Sequence, residues 1–207
     1  MLDRCIVEFD RGLRTLLAPG IAARSVPIPP NAASSVLSKA EQVESARLMR
    51  VNHTGEVCAQ ALYQGQALVA RQANIRKALE VAAAEERDHL AWCEHRLDAL
   101  GASVSLLNPA WYAGSFALGV VSGLAGDKWS MAFLVETERQ VEHHLEGHLE
   151  RLPREDAESR AIVAVMRDDE ARHGQSGVEH GAADLPEGIK QAMKAVSRLM
   201  TGSTYWV

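Results

Sequence analysis

The sequence predicts an all-α protein: a bundle of four long helices, with an apolar crossover helix and an extra helix at each end. Three observations point there. Apolar residues recur at helical spacing along most of the 207 residues, and no alternating aromatic or Thr-rich run offers a credible strand. The chain is rich in Ala, Leu, Glu and Arg, most of them strong helix formers. Helix start and stop signals bound the periodic stretches.

Taken in order, helix α1 runs to about Leu17, with Ile6, Phe9, Leu13 and Leu16 at helical spacing. Pro19-Gly20 and the stretch from Pro27 to Pro30 then read as a linker. Ser38-Lys39-Ala40-Glu41 matches a capping box and opens α2, which extends to about Ala70. Helix α3 spans about Ala73 to Leu100, with Gly101 in the usual stop position. An uncharged run from Leu106 to Gly126 supplies the crossover α4. Helix α5 spans about Lys128 to Leu152 and stops before Pro153, α6 about Glu155 to Val178, and α7 about Pro186 to Met200.

The short α2–α3 and α5–α6 connections imply two antiparallel hairpins. About 27 residues separate α3 from α5, enough to cross the length of the bundle, which is the ferritin-like topology. Residues 1–37 therefore read as an amphipathic segment with a Pro-rich linker, and residues 38–207 as one bundle domain.

Composition excludes several classes. A net charge of -5 with intermixed signs provides no basic field for nucleic acid. Cys5, Cys58 and Cys93 form no C-x-x-C pair, which argues against a disulfide framework or zinc knuckle and suits a reducing compartment. Cys93 falls on an apolar stripe and reads as a small core residue. The N-terminus has acidic residues and no continuous apolar run, unlike a secretory signal, and no run of about 18 apolar residues predicts a membrane span.

The chemistry lies in a repeated pattern. Helix α3 carries Glu86-Arg87-Asp88-His89 and α6 carries Glu170-Ala171-Arg172-His173; each Glu-x-x-His places both side chains on one helix face. Glu56 on α2 precedes Glu86 by 30 residues, and Glu138 on α5 precedes Glu170 by 32. One Glu from each of two helices and Glu-x-x-His from the other two is the ligand set of di-iron carboxylate bundles.

Facing tests the pattern independently. At about 100° per residue, Glu86 is centred on the stripe of Ile75, Leu79, Ala82, Leu90, Cys93 and Leu97, while Glu85 is turned about 100° away. Glu138 is centred on Met131, Leu134, Val141, Leu145, Leu149 and Leu152, whereas Glu136 points nearly the opposite way. Glu142, about 40° from the same line, is the alternative ligand on this helix or a partner behind one. Glu170 aligns with Val163 and Met166, and Glu56 with Met49, Ala59, Tyr63 and Ala67.

Carboxylates amid apolar stripes are costly to bury without cations. Four carboxylates and two neutral imidazoles balance two divalent ions, and an oxygen-rich set with no thiolate suits iron or manganese. His143, His144 and His148 cluster beyond Glu138, and His144 is the best placed to support the site; Tyr63 reads as a core or cavity tyrosine.

The stretch Arg50-Val51-Asn52-His53-Thr54-Gly55-Glu56, continuing to Tyr63-Gln64-Gly65-Gln66, is more specific than the metal spacing. With Glu86-Arg87-Asp88-His89-Leu90, Glu138 followed by His143-His144, and Asp169-Glu170-Ala171-Arg172-His173, it resembles the demethoxyubiquinone hydroxylase family of ubiquinone biosynthesis. The likeness runs from about residue 45 to the C-terminus. It implies a di-iron monooxygenase that hydroxylates the ring of a polyprenylated benzoquinol with O2. Glu56, Glu86, His89, Glu138, Glu170 and His173 would be the metal ligands, and Tyr63 and His144 fall on active-site positions.

That resemblance bears on the crossover. On composition Leu106–Gly126 reads as a buried helix; a polyprenyl substrate favours an interfacial helix flanked by Trp111, Tyr112 and Trp129, assisted by α1, and so a peripheral protein on the cytoplasmic face of a bacterial inner membrane. No G-x-G-x-x-G follows a strand, so electrons are expected from outside the chain: NADH bound in another way, reduced quinone, or a redox or biosynthetic partner. The alternatives are a ferritin-like iron-storage protein, which needs no apolar crossover, and a rubrerythrin-like peroxidase, which should carry a Cys-rich module.

Overall fold

A computed structural model describes residues 2–29 and 36–207, residues 2–5 by backbone alone. Among the described residues lie seven helices and no strand: α1 (Leu2–Leu17), α2 (Lys39–Val69), α3 (Ala73–Ala99), α4 (Asn108–Leu124), α5 (Asp127–Arg151), α6 (Ala157–Glu179) and α7 (Glu187–Thr204). Of the Pro-rich linker, Pro30 lies outside the described residues.

Local chemistry accounts for the boundaries. The Ser38 hydroxyl accepts from the Glu41 N–H (3.3 Å), and the Glu41 carboxylate accepts from the Ser38 N–H (2.8 Å), closing the capping box. Gly101 ends α3 at φ 67°, a left-handed conformation that costs glycine least, and the Ala102 N–H returns to Leu97 O. Helix α6 starts two residues later than the sequence suggests, because Asp156 rather than Glu155 caps it, accepting the Ser159 N–H at 3.0 Å.

Helices α2 and α3 pack as one hairpin and α5 and α6 as the other, while α4 lies along α2. The α2–α4 contact is backbone to backbone. A Cβ on Gly119 would sit 2.2 Å from Leu62 O, and one on Gly65 would sit 2.4 Å from Phe116 O. Polar contacts fix both ends of α4. The Thr54 hydroxyl donates to Asn108 Oδ1 (2.8 Å), Asn108 Nδ2 meets His53 Nδ1 (3.2 Å), and the Asp127 carboxylate accepts the N–H groups of Arg71 and Gln72. Part of the Asn52-His53-Thr54 stretch thus serves to seat the crossover.

One face of the crossover is buried, as its composition suggests, and the other carries exposed apolar residues. Gly119, Ser122 and Gly123 are buried against the bundle, whereas Leu118, Val121 and Leu124 are exposed. No helix among the described residues is long and apolar enough to cross a membrane.

The core is split in two. Leu48, Met49, Trp92, Cys93, Leu97, Leu145, Ile162, Val163 and Met166 belong to one apolar cluster, and Leu62, Tyr63, Ile75, Leu79, Met131 and Leu134 to the other. Along α2, α3 and α5 the predicted ligands fall between the two clusters, so charged groups form a layer with hydrocarbon on either side. Cys58 and Cys93 are free thiols; the Cys5 side chain lies outside the described residues.

The N-terminal segment docks onto this bundle. Thr15 donates to Gln60 (2.9 Å), and residues 20–24 cross α3, with the Gly20 and Ala23 N–H groups donating to Glu94 and Asp88 at 2.6 Å each.

Candidate metal centre

Four helices each deliver a carboxylate to the layer. Glu56 (α2), Glu86 (α3), Glu138 (α5) and Glu170 (α6) are all buried, as are His89 and His173. Their ligand atoms form two groups, within each of which all atoms lie within 4.8 Å of one another. One group joins Glu56, Glu86, His89 and Glu170; the other joins Glu86, Glu138, Glu170 and His173. Glu86 and Glu170 belong to both.

The atoms show why. Glu86 points Oε2 at His89 Nδ1 (3.0 Å) and Oε1 at His173 Nδ1 (3.2 Å). Glu170 does the same, with Oε1 at 3.3 Å from His89 Nδ1 and Oε2 at 3.5 Å from His173 Nδ1. Each of these carboxylates therefore spans the two halves, while Glu56 and Glu138 each serve one (3.5 Å to His89, 3.7 Å to His173).

The set fits metal ions on its own chemistry. Glu86 Oε1, Glu138 Oε2, Glu170 Oε1 and His173 Nδ1 are buried polar atoms without a hydrogen-bond partner, and their residues form one of the two ligand groups. Oxygen and imidazole donors without thiolate favour iron or manganese over structural zinc.

Both imidazoles are held from behind. His89 Nε2 lies 2.9 Å from Asp169, and His173 Nε2 lies 2.7 Å from Glu85. In each case the acid immediately before a ligand Glu grips the histidine of the opposite helix, which leaves Nδ1 toward the centre. Sequence reasoning missed these partners, setting Glu85 aside as turned away from the stripe. The available signal was the doubled acid in Glu85-Glu86 and Asp169-Glu170, repeated in both halves.

Glu142 is half-buried and belongs to neither group, so on α5 the geometry brings in Glu138. Glu136 is buried but bonds Gln140 of its own helix. Tyr63 is fully buried and its hydroxyl donates to Glu138 Oε1. Burial, with Glu138 next, holds its phenol well above the usual tyrosine range, so it stays a donor. His144 packs on His148 with ring centroids 4.0 Å apart, and its Nε2 has no partner. Burial, with Arg151 and His143 adding to it, pushes His144 down to about 4.

Without metal, protons balance the charge. Burial opposes a charged His173, but the facing carboxylates of Glu170 and Glu86 outweigh it and carry the pKa up to about 12. His89 is raised as well: burial works against it, and Asp169, Glu170, Glu56 and Glu86 prevail. Burial above all raises Glu56 and Glu138, with neighbouring carboxylates adding to it. Cations must displace these protons, so loading the metal-free chain is expected to release protons. The sign follows from the raised pKa values: binding weakens as pH falls. Calorimetry in buffers of different ionisation enthalpy measures the release, and a value near zero would show that the histidines are neutral before loading.

Bundle and site together define a class: a ferritin-like, all-α protein with a buried carboxylate–histidine cluster that can hold metal. The chain belongs to the family described as ubiquinone biosynthesis protein COQ7, whose match covers residues 43–204. It is similar to proteins named 3-demethoxyubiquinol 3-hydroxylase. The Chromobacterium violaceum protein is 58% identical over 207 residues, covering 100% of both chains. That of Nitrosomonas europaea is 56% identical over 209 residues, covering 100% of this chain and 99% of the relative.

Proposed function

We propose that this chain hydroxylates the ring of a polyprenylated demethoxyubiquinol with O2, at two iron ions held by Glu56, Glu86, His89, Glu138, Glu170 and His173. The observation that carries this is the pair of spanning carboxylates, Glu86 and Glu170, each presenting one oxygen to either half of a buried centre. The family and the names of the relatives supply the reaction.

One oxygen atom enters a ring C–H bond and the other leaves as water, so two electrons and two protons must also arrive. The iron pair, when bound, supplies the activation of O2. The protein's part is geometry and dryness. Asp169 and Glu85 aim the two imidazoles, and the apolar clusters on either side exclude water. Tyr63 donates to Glu138 and fixes the orientation of that carboxylate. His144, on the helix that carries Glu138, is a neutral imidazole packed on His148 and is assigned a supporting role on that helix. The electrons come from outside the chain, from NADH or reduced quinone.

A lined groove suits the rest of the substrate. Between α2, α4, α5 and α7 lies an apolar cavity of about 400 Å³, lined by Leu62, Trp111, Phe133, Val141, Ile189 and Met193 among others. It runs beside Thr137, the neighbour of Glu138, and would take an isoprenoid tail whose ring faces the centre.

Exposed apolar residues occur on all three outer helices: Ile6, Phe9 and Leu13 on α1, Leu118, Val121 and Leu124 on α4, and Val196 and Leu199 on α7. Such faces support peripheral attachment to the cytoplasmic side of the inner membrane, where the substrate resides.

The test is extraction of quinones from cells lacking the protein. The demethoxy precursor is expected to accumulate, and reintroduced wild-type chain to restore the product. Normal quinone in the deletion strain would refute the assignment.

A further inference from the structure

The N-terminal segment lies outside the stretch matched by the family, yet one of its side chains reaches the surroundings of the centre. Arg24 Nε donates to Asp88 (2.7 Å), and Arg24 Nη1 lies 2.7 Å from Asp169 Oδ2. That same oxygen lies 2.9 Å from His89 Nε2. The result is a continuous line from the strap that residues 20–24 lay across α3 to a proposed ligand: Arg24, Asp169, His89.

Independent attachments place the guanidinium. It lies over Trp92, 4.7 Å from the ring centroid, and the Trp92 indole N–H donates to Arg24 O at 3.3 Å. The Gly20 and Ala23 N–H groups anchor the backbone on Glu94 and Asp88. Asp88 and Asp169 are both almost fully buried, so two neighbouring acids share one cation from another part of the chain.

The opposite half lacks this support. Glu85, which holds His173, has a side chain 35% exposed against 4% for Asp169. The guanidinium recorded beside Glu85 is that of Arg172, at 3.8 Å, and Arg172 also bonds Asp169. The two clasps match in sequence and differ in setting: one sealed under the strap, the other open to solvent.

We propose that Arg24 is a positioning residue for the His89 half of the centre, and that it makes the Glu56–His89 half retain metal longer than the Glu138–His173 half. This rests on the metal-centre reading above. By pinning Asp169 Oδ2, Arg24 fixes the ring plane of His89 and keeps its Nδ1 directed at the ligand space.

The experiment uses the full chain loaded with Co(II), whose release to a chelator is followed by visible absorption, with the metal-free melting curve as a check on folding. Wild type is expected to release Co(II) in two phases. In Arg24→Met the slow phase should quicken about tenfold, the low end of what loss of an outer partner costs a metal site. Its absorption band should shift, while the fast phase stays as it is. Arg24→Lys keeps the charge but cannot bridge both aspartates, and its slow phase should fall between the two. If Arg24→Met folds and its phases and band match wild type, the proposal is overturned and the metal centre stands. If Arg24→Met does not fold, Arg24→Lys decides: a wild-type slow phase overturns the proposal. Wild-type chain that takes up no Co(II) would overturn the centre and this proposal together.

Discussion

Glu86→Ala is expected to empty both halves of the centre and to remove hydroxylation. Its two carboxylate oxygens face different histidines, at 3.0 Å and 3.2 Å, so one substitution strips a donor from each half. Glu56→Ala and Glu138→Ala each remove a donor from a single half and serve as the contrast. The loss should exceed the roughly 10–100-fold in affinity or activity that follows removal of an outer partner, because a ligand itself is gone. Because Glu86 also pairs with His89 and His173 in the metal-free protein, the melting curve of the metal-free variant is recorded beside the metal analysis as the check on folding. Metal analysis beside turnover is the measurement. Wild type should carry about two iron ions, the number such bundles hold, and the variant close to none. Full iron in Glu86→Ala would sink the assignment of the spanning ligands.

Arg96→Met is expected to be the most damaging substitution away from the centre. Arg96 is buried on α3, two turns beyond His89, and reaches across to the start of α6. Its guanidinium bonds the Ser159 hydroxyl, the Glu158 carboxylate and the Asp156 carboxylate, each at 2.8 Å. Asp156 is fully buried and also caps α6, so methionine would leave an unpaired charge at a helix start. Removing one partner of a buried ion pair costs about 3–5 kcal/mol, a large part of the roughly 5–15 kcal/mol that holds a domain together. Denaturant unfolding measures it directly. A loss below about 1 kcal/mol would place Arg96 among ordinary surface pairs.

Much of this architecture is legible without coordinates because helical facing is a local property. Glu86 separates from Glu85, and Glu138 from Glu136, by rotation about their own helix axes, and the structure collects the same six side chains that rotation selects. The chain order of hairpin, crossover and hairpin follows from connection lengths. Boundaries moved by two residues or less at the start of α6, where a buried Asp156 proved the stronger cap.

What sequence alone determined was therefore the helices, the faces they bury and the identity of the charged layer, since each depends only on spacing along one helix. Which carboxylates span both halves, which acid stands behind which histidine, and which side of the apolar crossover meets the bundle were decided by tertiary structure. Arg24 shows the limit most plainly. It meets Asp88 and Asp169 from 64 and 145 positions away, and no periodicity marks it. Contacts of that kind depend on the path the folded chain takes between helices, which spacing along any one helix does not record.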